Sequence, residues 1–286
     1  TSRRPDLRHL VGDHFSPAGL HQYDITVPPV ASPLILYLKN GRSFGGVGIG
    51  EPRVSGGELV FTTAMTGYTE SLTDPSFEGQ ILVFTNPLIG NYGFESHRME
   101  SKRIHVAGVV ISELSNIHSN PKTHLTLHRA LLRAGVPGIQ GVDTRAIATL
   151  LRDEGCQNGI LSPRRLSATQ ARKRIAALPD MAGLDLSGHV TIRRPIRHRP
   201  RVKGGLTVAL LDFGVKRNIV QELLNLGVTV WQLPARTPPA EILSSGADGL
   251  LLSNGPGDPG AMVDAYERIR SLIGRLPIFG ICLGHQ

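Results

Sequence analysis

The chain has 286 residues, 40% hydrophobic and 19% charged, which is length and composition enough for two domains that each bury a core. No apolar run approaches the roughly 20 residues that cross a bilayer, and two lone cysteines, Cys156 and Cys282, exclude a disulfide framework and a cysteine-built zinc site. The net charge of +8 is concentrated, because Arg193, Arg194, Arg197, Arg199, Arg201 and Lys203 supply six of it with no acid, Phe, Tyr or Trp between them; that pattern fits a solvated linker better than a nucleic-acid arm.

Residues 1–33 balance Arg3, Arg4 and Arg8 against Asp6, Asp13 and Asp24, and they lack the apolar stretch of a secretory signal and the acid-poor composition of a transit peptide. They are expected to be a disordered leader, and the protein is expected in the reducing cytoplasm. Apolar and β-branched runs bounded by Gly, Asn and Pro predict strands at 34–38, 58–63, 80–85 and 105–111. Helices are predicted at 123–134, at 143–154 with Asp143 as N-cap and Gly155 as stop, and at 167–178, where Ser167 and Gln170 have capping-box spacing. Strands first and helices later predict an α+β domain over 34–186. Residues 187–205 read as the basic, Pro-containing linker. Beyond it, strands at 206–212, 228–233, 249–252 and 277–281 alternate with helices at 216–226, 239–244 and 261–273, which predicts a parallel sheet covered on both faces over 206–286. Ligands of such sheets bind beyond the carboxyl ends of the strands.

Two motifs sit at those ends. Gly280-Ile281-Cys282-Leu283-Gly284 follows an apolar strand and has the form of a nucleophile elbow with Cys in place of Ser. A thiol at such a turn would meet oriented backbone amides, which favour thiolate, and the amide of Leu283 could stabilise an oxyanion. Ser253-Asn254-Gly255-Pro256-Gly257-Asp258-Pro259 follows the preceding strand; alternating Gly and Pro make it stiff yet open to close backbone approach. His285 would lie inside the helix that follows the elbow and is read as structural. His124 and His128 share a helix face without a carboxylate partner and are read as surface residues, and Cys156 as packing.

Together with Phe279-Gly280-Ile281-Cys282-Leu283-Gly284-His285-Gln286, the second motif resembles the class I (triad) glutamine amidotransferases. Asp212-Phe213-Gly214-Val215-Lys216-Arg217-Asn218-Ile219 is similar to the signature of one branch, the small subunit of carbamoyl-phosphate synthetase. So are Met65-Thr66-Gly67-Tyr68, Leu72-Thr73-Asp74-Pro75-Ser76, Gly90-Asn91-Tyr92-Gly93 and Gly141-Val142-Asp143-Thr144-Arg145 in the first half; Thr62 departs from that branch, where Asn is commoner. The resemblance implies an N-terminal small-subunit domain followed by an incomplete flavodoxin-like amidotransferase domain. It implies Cys282 as nucleophile and Ser76, Gly255, Gly257, Leu283 and Gln286 as glutamine-binding positions, with the amides of Gly257 and Leu283 facing the oxyanion. Glutamine would yield a γ-glutamyl thioester and ammonia. The ammonia would pass to a large subunit, which carries ATP and Mg and combines it with carboxyphosphate for arginine and pyrimidine biosynthesis. No cofactor or metal is expected in this chain, nor any nucleic-acid or membrane partner.

In the resembled family, base and orienting carboxylate come from a His-Pro-Glu motif far downstream of the elbow. This chain ends at Gln286, so it is expected to be a truncated form without glutaminase activity of its own. The alternative is a non-catalytic homologue that only binds glutamine or the large subunit. A guanylate- or anthranilate-type amidotransferase is disfavoured by the first-half motifs.

Overall fold

The computed structural model describes residues 32–120, 123, 125–202 and 204–286. The leader expected over 1–33 lies outside the described residues except for its last two, and so do His124 and Lys203.

The first domain contains β1 (Pro33–Leu38), β2 (Ser43–Gly50), β3 (Ser55–Thr62), α1 (Tyr68–Thr73), β4 (Ile81–Phe84), β5 (Leu88–Ile89), β6 (Gly108–Val110), β7 (Glu113–Leu114), α2 (Leu127–Arg133), β8 (Pro137–Gln140), α3 (Thr144–Glu154), β9 (Gln157–Ser162) and α4 (Ala168–Ala176). Seven strands close into a barrel in the order β1-β2-β8-β6-β4-β3-β9, while β5 and β7 form a small parallel pair. Closure removes the unpaired edges a flat sheet would present. The β4 sequence Ile-Leu-Val-Phe is buried throughout because it faces two cores. Ile81 and Val83 pack with Leu34, Leu36, Ile139 and the α3 residues Ile147 and Leu151. Leu82 and Phe84 pack with Tyr68, Leu72, Leu127 and Leu131.

The predicted caps form. Asp143 Oδ1 accepts from Ala146 N at 2.9 Å; Ser167 Oγ accepts from Gln170 N at 3.2 Å, and Gln170 Oε1 from Ser167 N at 3.0 Å. The expected order of strands before helices is not what is seen, because β8 and β9 follow α2 and α3 and complete the barrel. The strand β2, Ser-Phe-Gly-Gly-Val-Gly-Ile-Gly, has no apolar run to announce it. Its glycines answer close packing: a Cβ on Gly46 would lie 2.2 Å from Gln140 O. His128 is half-buried rather than on the surface. Its Nδ1 accepts from Gly50 N at 3.0 Å, and burial lowers its pKa, so the ring is a neutral acceptor that satisfies the end of β2. Cys156 is exposed rather than packed, and partial burial of its thiol, aided by the Glu58 carboxylate, raises its pKa.

The second domain contains α5 (Ser187–Val190), β10 (Ile196–His198), β11 (Thr207–Asp212), α6 (Arg217–Asn225), β12 (Thr229–Pro234), α7 (Pro239–Ser244), β13 (Gly249–Leu252), α8 (Val263–Arg270) and β14 (Ile278–Gly280). The sheet order is β10-β12-β11-β13-β14. The last four of these run parallel, and β10 joins antiparallel on the edge. The stretch read as a solvated linker thus supplies an edge strand. Arg197 lies over the Trp231 ring, 5.4 Å from its centroid, and His198 Nε2 meets Gln232 Oε1 at 2.9 Å, which gives two of its polar side chains partners on β12. Neighbouring strand residues split between faces: Ala209 and Leu211 join Leu233, Leu250 and Leu272, while Leu210 joins Val220, Val230 and Leu251. That is why the strands read as continuous apolar runs. No helix among the described residues is long and apolar enough to cross a membrane.

Candidate active site at the strand ends

The parallel strands β11, β13 and β14 end side by side, so the segments that follow them share one rim of the sheet. The turn after β14 is the elbow. Cys282 has φ +52°, the one positive φ at a non-glycine among the described residues. An L-residue there costs on the order of 1 kcal/mol, which the surroundings must impose. They do so through β13: Ile281 N donates to Leu252 O at 3.0 Å and Gly284 N to Ser253 O at 3.1 Å. The flanking glycines are required by contact. A Cβ on Gly280 would lie 2.3 Å from Gly284 O, and one on Gly284 would lie 2.3 Å from Leu252 O. The result holds Cys282 exposed at the crest of the turn. Residues Cys282–Gly284 form a three-residue 3-10 turn, and Gln286 N reaches Cys282 O at 3.1 Å. Leu283 is buried, while its amide is an early donor that the turn does not use. His285 is exposed, and its amide donates to Cys282 O at 2.9 Å.

The loop after β13 fits against the elbow and against the first domain. A Cβ on Gly255 would lie 2.2 Å from Phe213 O and 3.0 Å from Leu283 Cδ2, so the loop backbone touches both neighbours. Gly257, with φ +99°, forms an isolated bridge with Asp185, and Asp258 N donates to Leu184 O at 2.8 Å. Backbone hydrogen bonds from Gly183 and Gly260 hold the Asp258 carboxyl below its ordinary pKa. Between loop and elbow, Asn254 is buried. Its Nδ2 donates to Ser76 Oγ at 2.9 Å and to Gly214 O at 3.0 Å, and its Oδ1 accepts from Lys216 N at 3.1 Å. Ser76 therefore reaches the rim from the other domain. Asp74 completes the junction: Oδ1 accepts from Ser76 N at 2.9 Å, and Oδ2 pairs with Lys216 Nζ at 2.7 Å. Glu100 adds two bonds, its carbonyl accepting from Arg217 N at 2.8 Å and its Oε2 from Asn218 N at 2.9 Å.

The structure thus brings Ser76, Gly255, Gly257, Cys282, Leu283 and Gln286 to one rim. Sequence reading singled out none of Asn254, Asp74, Lys216, Glu100 or Asp212 for a structural task. The available signal was a carboxylate ending the apolar run Val208-Ala209-Leu210-Leu211-Asp212. Asp212 is buried; Oδ1 accepts from Gly214 N and Val215 N at 2.9 and 2.8 Å, and Oδ2 from Ile192 N and Gln232 Nε2 at 3.0 and 2.9 Å. Substituting Asp212→Ala leaves four donors unmet, each worth about 1 kcal/mol or more when buried. Chemical denaturation is expected to show a loss of about 3–4 kcal/mol, and a loss below about 1 kcal/mol would refute this accounting.

The turn that carries Ser76 ends on Glu78, which His105 Nδ1 contacts at 2.5 Å and Arg103 Nη2 at 2.9 Å, while His105 Nε2 meets Ser101 Oγ at 2.8 Å. Burial opposes ionisation of Glu78, but the hydrogen bonds and charges of His105 and Arg103 outweigh it, so its pKa falls below the ordinary 4.5. Between the depressed folded value and about 4.5, the unfolded chain binds the extra proton, so stability rises with pH. Glu78 therefore stabilises above pH 4.5, and this contribution is lost as pH falls through its folded value. Denaturation of Glu78→Gln followed across pH 3 to 7 is expected to show lower stability at pH 7 and a shallower acid limb than the parent; parallel limbs would contradict it.

The family described as "Carbamoyl-phosphate synthase small chain, CPSase domain" matches residues 36–161, and "Glutamine amidotransferase class-I" matches 209–286. The chain is similar to the carbamoyl phosphate synthase small chain of Syntrophotalea carbinolica, 41% identical over 88% of this chain and 70% of that one. It is similar to the corresponding chain of Chlorobaculum tepidum, 42% identical over 89% and 70%. The carbamoyl phosphate synthase pyrimidine-specific small chain of Halalkalibacterium halodurans is 41% identical, over 88% of this chain and 68% of its own.

Proposed function

Because the chain belongs to the carbamoyl-phosphate synthase small-chain family, we propose that it is the glutamine-hydrolysing subunit of such a synthase. The strained, exposed Cys282 carries this reading, since a positive φ at a cysteine between two contact-enforced glycines serves presentation of a nucleophile rather than packing. The thiolate attacks the side-chain amide carbon of glutamine, the C–N bond breaks with proton transfer to nitrogen, and ammonia leaves a γ-glutamyl thioester. Water then cleaves the thioester to glutamate and restores the thiol. Gly257 and Leu283 supply amides to the oxyanion, and Ser76, Gly255 and Gln286 hold the substrate. The ammonia passes to a large subunit, where ATP and Mg support carbamoyl phosphate synthesis for arginine and pyrimidine biosynthesis in the cytoplasm.

Ser76 crosses from the first domain, so substrate binding depends on domain docking. In the assembled synthase, Ser76→Ala is expected to raise the glutamine KM about tenfold with a smaller change in kcat, the pattern of a lost uniform binding contact. An unchanged KM would remove Ser76 from the site. A second reading, glutamine or large-subunit binding without hydrolysis, is favoured by one observation: no side chain among the described residues hydrogen-bonds the Cys282 thiol. Carbamoyl phosphate synthesis by the assembled synthase separates the two readings: the first expects both glutamine and added ammonia to support it, the second only added ammonia.

A further inference from the structure

A cavity lies in the first domain, between the β1–β2 turn and the start of α4, and shares no residue with the rim just described. Its volume is about 390 Å³, within the range of small-ligand sites. Arg42 enters from the turn and Arg165 and Arg172 from the α4 side, and no Asp or Glu lines it. None of the three guanidinium groups has a hydrogen-bond or ion-pair partner among the described residues. The acids nearest Arg165 and Arg172 in the chain are engaged elsewhere: Asp180 with Lys39 at 3.6 Å and with Asn158, Glu154 with Asn40 at 2.9 Å, and Asp153 with Arg152 at 2.7 Å.

Three like charges around one hollow repel one another, and no resident carboxylate offsets that repulsion. The frame that holds them together is built in. Tyr37 Oη accepts from Leu166 N at 2.8 Å, which ties the segment after Arg165 to β1, and the capping box fixes the first turn of α4. Gly41, Gly45, Ala168 and Ala171 keep the hollow open because their side chains are small or absent. Guanidinium forks on a fixed frame match phosphate oxygens bidentately, and preorganisation lowers the cost of binding.

We propose that this cavity is a binding site for a small ligand bearing a pyrophosphate or two phosphate groups, with Arg42, Arg165 and Arg172 as its charge partners. The site is separate from the glutaminase reading and does not depend on it. Calorimetric titration of the 286-residue chain with inorganic pyrophosphate tests it. One saturable site is expected, weaker by about tenfold for Arg165→Gln or Arg172→Gln alone, with orthophosphate binding more weakly than pyrophosphate. Raising salt from about 50 to about 200 mM weakens the binding. All three arginines are exposed, so the substitutions leave folding intact, which the melting temperature checks. The control Arg193→Gln/Arg194→Gln removes two charges from the 192–203 stretch and is expected to leave the affinity unchanged. Absence of saturable binding, affinity indifferent to Arg165 and Arg172, or equal loss in the Arg193/Arg194 control would each overturn the proposal.

Discussion

Cys282→Ser in the assembled synthase is expected to reduce glutamine-dependent carbamoyl phosphate synthesis by at least about 1,000-fold while leaving synthesis from added ammonia within about twofold. A serine hydroxyl fits the turn, because the φ of +52° is imposed by the β13 contacts of Ile281 and Gly284 and not by the sulfur. The substitution therefore removes nucleophilicity and spares geometry. A hydroxyl is far less ionised than a thiol near neutral pH, so the thioester does not form. Ammonia supplied from solution bypasses that step. Retained glutamine-dependent synthesis would remove Cys282 from the chemistry. Loss of ammonia-dependent synthesis would mean instead that the substitution disturbs the partner. Cys156→Ser is the matched control, since Cys156 lies in the first domain and outside the rim, and both activities should survive it.

Gly284→Ala is expected to destabilise the second domain by about 3 kcal/mol and to lower the glutaminase activity of the assembled synthase more than 100-fold. The added Cβ would sit 2.3 Å from Leu252 O and 2.5 Å from Leu252 C. These are backbone atoms of a central strand, paired on one side with β11 and on the other with β14, so they cannot yield as a flexible side chain does. Relief requires the elbow to lift off β13, which breaks Gly284 N to Ser253 O and Ile281 N to Leu252 O. A displacement of about 1 Å suffices to misplace a nucleophile. Gly188→Ala provides the contrast, because a Cβ there meets nothing within 4 Å; it should change stability by less than about 0.5 kcal/mol. Urea denaturation and the glutaminase assay measure both effects. Equal stability of the two variants would defeat the argument from close contact.

Much of the second domain was legible in the chain. Strands that alternate with amphipathic helices leave little choice but a covered parallel sheet, and the predicted span 249–252 coincides with β13. The elbow was legible because two glycines at fixed offsets around a cysteine, after an apolar strand, state a local backbone requirement. Caps were legible for the same reason: Asp143 and Ser167 act within three residues of themselves.

The barrel was not legible. Its closure depends on β2, β8 and β9, and glycine-rich β2 is a strand through its pairing with β1 and β8, where Gln140 and Ile139 leave no room for a side chain on Gly46. Nor could the chain reveal that Arg197 rests on Trp231, which turns a basic linker into an edge strand. The junction of Ser76, Asn254, Asp74 and Lys216 joins residues up to 178 positions apart. Local residue chemistry, read along the chain, determined the alternating elements of the second domain, the caps and the identity of the elbow. Pairing at long range, which no periodicity encodes, was decided by packing and hydrogen-bond satisfaction in the folded protein alone: the closed barrel, the docking of Ser76 onto the second domain, and the open cavity between Arg42 and Arg172.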